Sequence, residues 1–333
     1  MGTVPLTLLF SDGAARTIDA EVGQSIVSAA EAASLTLFTD CCNGQCGTCS
    51  ASLVSGSIDM GAYDRAILPD ADREGGAILA CVSRVTGPCV IELPYDVSDA
   101  EAQEQPPISG RVIAVDNVAE ETIRLEIQPD AVLSFQSGQY VRIRAGQEGD
   151  WRSYSMANPS GSTTLVFYIR TVRSGLFSTW LTERAVIGDV VQISHPHGSF
   201  FLRDELRPRL FMAGGTGLAP FLSMLQQIAR AGALAWQPTT LLLGVRSIRH
   251  LFGLEELESL RKQLPDLKVQ FAAETEADER CHPGYATDLV TSLQLEPETR
   301  VYVCGPPPMV EAGRSAAAAA GLSSSDLLCE RFA

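Results

Sequence analysis

Long apolar runs are what this 333-residue sequence most plainly lacks. Its longest apolar stretch, residues 210–225, is interrupted by Gly214, Gly215, Thr216, Gly217 and Pro220, so nothing reaches the roughly 20 apolar residues a membrane-spanning helix needs. Residues 1–10 show no basic cluster ahead of an apolar core and no small-residue cleavage site. The expectation is therefore a protein that is not exported and works in the cytoplasm, away from membranes. Positive charge is scarce in the first third, where residues 1–105 set 15 Asp and Glu against Arg16, Arg65, Arg73 and Arg84 alone, a formal −11 of the chain's −15. Such a field disfavours nucleic acid; it suits a protein partner with a basic patch, or simply keeps a domain soluble. Hydrolytic machinery is missing too, since neither a Ser-His-Asp set nor a carboxylate pair stands out. His195-Pro196-His197 offers two metal ligands without a third.

A chain of this length suits two or three domains of roughly 100–150 residues. Residues 4–10 and 16–22 alternate apolar and polar around Ser11-Asp12-Gly13, predicting a hairpin, and residues 25–33 predict a short helix. Residues 96–107 are acidic and end in two prolines, so they are expected to be an exposed linker. Between Ile108 and about Leu202, β-rich runs at 110–115, 123–127, 140–143, 164–170 and 190–194 alternate with Gly, Asn and Pro turns, which predicts a small antiparallel barrel. From Pro208 onward, apolar strands at 210–213, 240–244, 269–273 and 301–304 alternate with helical stretches at 219–231, 255–264 and 309–320, which predicts a parallel α/β sheet. The expected division is a first domain at 1–97, a linker at 98–107, a barrel at 108–205 and an α/β domain at 206–333.

Of nine cysteines, six fall between Cys41 and Cys89, which in a reducing compartment argues for metal before disulfide. Cys41, Cys46, Cys49 and the distant Cys81 have the C-x4-C-x2-C…C spacing of a plant-type 2Fe-2S cluster. A structural zinc also takes four thiolates, but its usual paired C-x2-C knuckles are missing here. Gly44 and Gly47 would let the loop wrap the cluster with backbone N–H groups aimed at sulfur. Cys42 and Cys89 lie outside the spacing and read as small packed residues.

The loop Asp40–Cys49 resembles the cluster loop of the ferredoxin module in reductases of bacterial ring-hydroxylating dioxygenases. Arg152-Ser153-Tyr154-Ser155 resembles the R-x-Y-S motif of the ferredoxin–NADP reductase superfamily. That likeness implies an arginine fork on the FAD pyrophosphate, a tyrosine face on the isoalloxazine and a serine hydroxyl at the atom that receives hydride. Gly175-Leu176-Phe177-Ser178 resembles the family's second flavin segment, and Tyr168-Ile169-Arg170 sits where the family flanks the ribityl and phosphate groups. Gly214-Gly215-Thr216-Gly217-Leu218-Ala219-Pro220 matches the nucleotide loop, where bare backbone meets a pyrophosphate at a helix start. Cys304-Gly305-Pro306 with Met309 resembles the element beside the nicotinamide, and Phe332 stands where the family often covers the flavin with an aromatic ring. Pro196–Gly198 corresponds to a family turn.

The likeness runs the whole chain in the order ferredoxin, flavin barrel, nucleotide domain, and three segments (46–49, 55–60 and 198–204) incline toward the benzoate and anthranilate type. It implies a multidomain fold: an α+β ferredoxin-like β-grasp domain, an antiparallel barrel and a parallel-sheet α/β domain. The implied activity passes electrons from NADH through FAD and a 2Fe-2S cluster to a Rieske-type terminal oxygenase of aromatic hydrocarbon catabolism. Ser155, Cys304 and Phe332 are the implied catalytic residues, and a monomer is expected. A di-iron monooxygenase or a cytochrome P450 is the alternative partner. Arg246, expected near the nucleotide, poses a conflict: with Ser247 and Arg249 after the strand at 241–244 and no carboxylate before Glu255, local chemistry favours NADPH, whereas the resemblance favours NADH.

Overall fold

The computed structural model describes every residue except Met1, Asp40, Cys41, Gln45, Cys46, Ala66, residues 102–105, Gln147, Glu148, Ser174, Leu234, Ala235, Ser324, Ser325 and Ala333. The chain divides into two compact units, Met1–Gln105 and Pro106–Ala333.

In the first unit, strands β1 (Thr3–Leu9) and β2 (Ala15–Glu21) form the expected hairpin, followed by helix α1 (Ile26–Ala32). The Ser25 side chain caps α1 by accepting from the Ser28 N–H at 3.1 Å. Then come β3 (Ser50–Met60), α2 (Asp70–Glu74), β4 (Ala77–Leu79), β5 (Ser83–Glu92) and α3 (Val97–Glu101). The sheet order is β2-β1-β5-β3-β4, with β1 and β5 parallel and the other pairs antiparallel. Alternation along β1 puts Leu6 and Leu8 inside, where they meet Ile26, Ala29 and Ala30 of α1. This is the β-grasp arrangement. Part of the segment read as exposed linker is instead the helix α3, whose Ala100 is fully buried and accepts from the Thr36 N–H at 2.8 Å. Small size, not apolarity, lets that alanine fill its place.

The second unit opens with six strands: β6 (Ile108–Ala119), β7 (Thr122–Pro129), β8 (Tyr140–Ala145), β9 (Arg152–Ser155), β10 (Leu165–Arg170) and, after helix α4 (Leu176–Glu183), β11 (Val190–Ile193). Their order is β10-β7-β6-β11-β8-β9, every pair antiparallel. Just beyond β9, the Ala157 N–H donates to Val166 O of β10 at 2.8 Å, drawing the two edges of the sheet together into a barrel. Val112, Leu125, Ile143, Phe167 and Ile169 fill its interior.

The remaining elements are β12 (Arg209–Gly214), a 3-10 turn at Gly215–Gly217, α5 (Leu218–Ala231), β13 (Thr239–Val245), α6 (Leu254–Gln263), β14 (Leu267–Ala273), β15 (Cys281–Pro283), β16 (Arg300–Gly305), α7 (Pro307–Ala319) and β17 (Leu327–Arg331). The sheet is wholly parallel, in the order β15-β14-β13-β12-β16-β17. All six residues of β12 are buried because both faces are covered: Phe211 and Ala213 turn toward α5 and α6, Leu210 and Met212 toward α7. On α5, Leu218, Phe221, Leu222, Leu225 and Ile228 follow helical spacing and are all buried, each contributing about 1.5–3 kcal/mol of transfer free energy. This doubly wound sheet was legible from the alternation of strands and helices, whereas β9, β15 and β17 were not.

Candidate functional site

Of the four expected cluster ligands, Cys41 and Cys46 lie outside the described residues. The other two converge, with the Cys49 and Cys81 sulfurs 3.1 Å apart. The Cys81 thiol is lowered to about 7, chiefly by the hydrogen bond from Cys49 and also by the Gly44 backbone, against the opposing effect of burial. Gly44 has φ +77°, and a Cβ there would lie 2.7 Å from Tyr63 Cβ, so the loop needs glycine at that turn. Converging sulfurs, one of them favoured as thiolate and served by a backbone donor, fit a thiolate-ligated cluster.

The R-x-Y-S segment is β9, paired with β8 so that Tyr140 faces Ser155 and Val141 faces Tyr154. Alternation sends Tyr154 and Ser155 to opposite sides. The Tyr154 ring lies 5.3 Å from that of Phe177, while its hydroxyl is held protonated by burial. This contact sets β9 beside the start of α4, where Gly175 is the N-cap and no side chain caps the helix. The first-turn N–H groups of an uncapped helix are open to an anion. Arg152, exposed and on the same strand face as Tyr154, donates to Trp151 O at 2.9 Å and lies 3.3 Å from Asp150 Oδ2. Ser178 Oγ accepts from the Val172 N–H at 3.1 Å, so it shapes the approach to that helix. Tyr168 points away from the barrel interior: it is 5% exposed, donates to Glu256 Oε1 of α6 at 2.7 Å and packs on Phe252. Ile169 belongs to the barrel core, and Arg170 is exposed beside Glu121.

Ser155, 5% exposed, donates its hydroxyl to Glu330 Oε2 at 3.1 Å. The Cys304 sulfur lies 3.8 Å from the same oxygen, because the parallel register of β16 and β17 sets Glu330 directly beside Cys304. The Cys304 thiol is pushed well up, first by complete burial and then by the Glu330 carboxylate, so it stays protonated. Three segments distant in the chain thus share one carboxylate oxygen. Phe332 follows immediately, its N–H donating to Gly305 O at 3.0 Å and its ring half-buried against the α/β core. Glu330 was not among the residues expected from sequence. Its signal, an acidic residue two positions before the terminal aromatic, gains meaning only once β17 is paired.

The loops after β12 and β16 meet backbone to backbone. A Cβ at Gly217 would fall 2.2 Å from Cys304 O, and one at Gly214 would fall 2.9 Å from Pro306 Cδ and 3.2 Å from the Met309 sulfur. Gly214, Gly215, Thr216 and Gly217 are therefore brought together with Cys304, Gly305, Pro306 and Met309. Neither α5 nor α7 has a side-chain cap. Because β12 runs on to β13 on one side while β16 returns on the other, this seam is the topological switch point where such sheets bind ligands. Arg246 lies beyond it, past the end of β13, with its Nη1 3.4 Å from Glu121 Oε2.

Sequence-family comparison agrees with these three modules. Residues 9–86 match a 2Fe-2S iron-sulfur cluster binding domain, 109–202 an oxidoreductase FAD-binding domain and 211–315 an oxidoreductase NAD-binding domain. Fold and site together define an iron–sulfur flavoprotein oxidoreductase that draws electrons from NADH and carries FAD and a 2Fe-2S cluster. The chain is 35% identical over 328 residues, 97% of each sequence, to the toluate 1,2-dioxygenase electron transfer component of Pseudomonas putida. It is 32% identical over 332 residues to the 2-halobenzoate 1,2-dioxygenase electron transfer component of Burkholderia cepacia, covering 98% of this chain and 97% of that one. Among solved structures, the cytochrome P450 reductase of Amycolatopsis superposes with a TM-score of 0.73 at 27% identity over 98% of both chains. The chain belongs to the family of reductase, or electron transfer, components of bacterial ring-hydroxylating dioxygenases.

Proposed function

We propose that this reductase serves the Rieske-type oxygenase of an aromatic-acid dioxygenase, acting as a cytoplasmic monomer. The observation that carries the reading is the Ser155–Glu330–Cys304 cluster, which stands between a flavin-type barrel and a nucleotide seam in a chain that also holds a cluster loop. Bound FAD supplies the two-electron to one-electron conversion that links a nicotinamide donor to a single-electron carrier. On the protein's side, Arg152 and the start of α4 hold the pyrophosphate, Tyr154 and Phe332 flank the ring system, and Ser155, whose single O–H is given to Glu330 in the free protein, turns it to the reacting edge when the flavin is bound. Glu330 orients that hydroxyl, and the Cys304 thiol walls the nicotinamide side without acting as a nucleophile. The glycines of the seam receive the nucleotide, with Arg246 at its adenosine end, and Cys41 and Cys46 join Cys49 and Cys81 around the cluster. Residues 1–97, 108–205 and 206–333 act as ferredoxin, flavin and nucleotide domains.

A plant-type cluster near about −400 mV would deliver electrons downhill to a Rieske centre at roughly −150 to +300 mV. The −11 charge of residues 1–105 makes that unit the docking face for a basic patch on the oxygenase. Turnover of aromatic carboxylates by candidate Rieske oxygenases, driven by this chain and NADH, tests the assignment. Added salt should slow delivery to the oxygenase while leaving flavin reduction nearly unchanged, and equal sensitivity of both steps would count against the docking face. The structural likeness to a cytochrome P450 reductase favours one second reading, a P450 partner. Turnover by a P450 and none by any Rieske oxygenase would install it.

A further inference from the structure

A dinucleotide with its nicotinamide at the switch point beside Cys304 carries its adenosine outward across the next strand ends, those of β13 and β14. Two arginines stand there, and both are already engaged. Arg249 makes a paired contact with Glu276, Nε to Oε2 at 3.0 Å and Nη2 to Oε1 at 2.8 Å, with Glu120 Oε2 3.5 Å from its Nε. Arg246 Nη1 lies 3.4 Å from Glu121 Oε2, which Arg170 Nη2 approaches to 3.7 Å. Glu276 follows β14, whereas Glu120 and Glu121 form the turn between β6 and β7 of the flavin barrel.

The backbone holds these carboxylates in place. The Glu120 N–H donates to Arg249 O at 2.9 Å and the Thr171 N–H to Glu121 O at 2.9 Å. Thr275 gives both its N–H and its hydroxyl to Arg246 O, at 2.8 and 2.9 Å, tying the loops after β13 and β14 together. Glu121 and Glu276 have φ +56° and +50°, and among the described residues only Ser34 and Cys42 share that conformation without being glycine. A side chain pays for left-handed backbone only where the surroundings fix it.

We propose that Glu121 and Glu276 are specificity-determining residues that select NADH over NADPH by occupying Arg246 and Arg249. This inference rests on the reductase reading above. A 2′-phosphate brings close to two negative charges. To reach either guanidinium it must displace a carboxylate and then sit beside it, unpaired and of like charge. A ribose with a free 2′-hydroxyl meets no such repulsion, and the nearby carboxylates are acceptors for its hydroxyl groups. The arginines that by themselves mark a 2′-phosphate site are thereby silenced. The pairs are substantially exposed, so each contributes modestly, up to about fivefold in affinity.

The test is a nucleotide-binding comparison on the FAD-loaded protein, using AMP and adenosine 2′,5′-bisphosphate in calorimetry, together with kcat/KM for NADH and NADPH. Wild type should favour AMP and NADH. Glu121→Gln with Glu276→Gln should shift both ratios toward the 2′-phosphorylated ligand by about tenfold, as expected when two exposed pairs are released. Arg249→Ala in that background should remove much of the gain. Wild-type preference for NADPH, or unchanged ratios in the double variant, would overturn the proposal. Failure of both nucleotides to reduce the flavin would instead reject the reductase reading, and the AMP comparison would still decide this one.

Discussion

Replacing Ser155 with alanine should slow flavin reduction by roughly 10- to 150-fold while leaving nucleotide affinity within about twofold, since a hydrogen bond to a charged group is worth about 1.5–3 kcal/mol and each 1.36 kcal/mol is a factor of ten in rate. The estimate follows from the geometry: the hydroxyl is 5% exposed and sits 3.1 Å from a carboxylate oxygen that also faces the Cys304 thiol. Alanine removes one atom and adds none, so the fold should survive. Anaerobic stopped-flow mixing with NADH, read at the flavin absorbance over a range of nucleotide concentrations, separates the rate from the affinity. A cycle with Glu330→Gln sharpens it. If hydroxyl and carboxylate act as a unit, the double variant should be little slower than the slower single one, because the second change removes an interaction already lost. A Ser155→Ala rate within twofold of wild type, or strictly additive costs, would refute the reasoning.

Gly217→Ala should raise the KM for NADH and destabilise the protein by about 1–3 kcal/mol, because its Cβ would fall 2.2 Å from Cys304 O, a backbone atom that cannot swing away; thermal melts and steady-state kinetics check both. Cys81→Ser should lose the iron–sulfur absorbance while retaining the flavin spectrum, and an intact cluster would remove Cys81 from the ligand set. Cys42, read from the sequence as packed, is exposed in the structure, whereas Cys89 is buried as expected; in brief alkylation at neutral pH Cys42 should therefore be modified ahead of Cys304 and Cys329. Burial pushes Cys329 up to about 11 and Cys304 well up, so both remain thiols at neutral pH, and peptide mass spectrometry of the labelled native protein would show the order.

What could be read from the sequence was what lay within one element. The barrel strands announced themselves because each alternates and ends at a turn residue, and the α/β half did so because buried parallel strands are short apolar runs. Strand β9 was missed since Arg-Ser-Tyr-Ser looks like a polar motif, and its strand character comes from pairing with β8. Strand β17 was missed for a related reason: Leu327–Arg331 is only partly buried and becomes a strand through β16, which lies more than twenty residues earlier. Helix α3 was hidden inside an acidic segment because its single buried residue is an alanine. The carboxylates that answer Arg246 and Arg249 lay furthest from view, 125 and 27 residues away in sequence. A search confined to the residues after β13 meets only the arginines, and so it leans toward the wrong nucleotide.

The same non-local assembly joins the glycine loop after β12, the β16–β17 edge and the barrel strand β9 through one residue. Cys304 is held from three sides: its carbonyl abuts Gly217 of the nucleotide loop, its strand pairs with Glu330, and that carboxylate takes the Ser155 hydroxyl from the barrel. Close packing of glycine backbone leaves no slack between the Gly217 and Cys304 loops, and a parallel ladder leaves little between Cys304 and Glu330. The Gly214–Gly217 loop and the Ser155–Glu330 contact are thus linked through Cys304 by packed backbone and one strand ladder. The last strand of the chain is thus part of the barrel's polar wall as much as an edge of the nucleotide sheet.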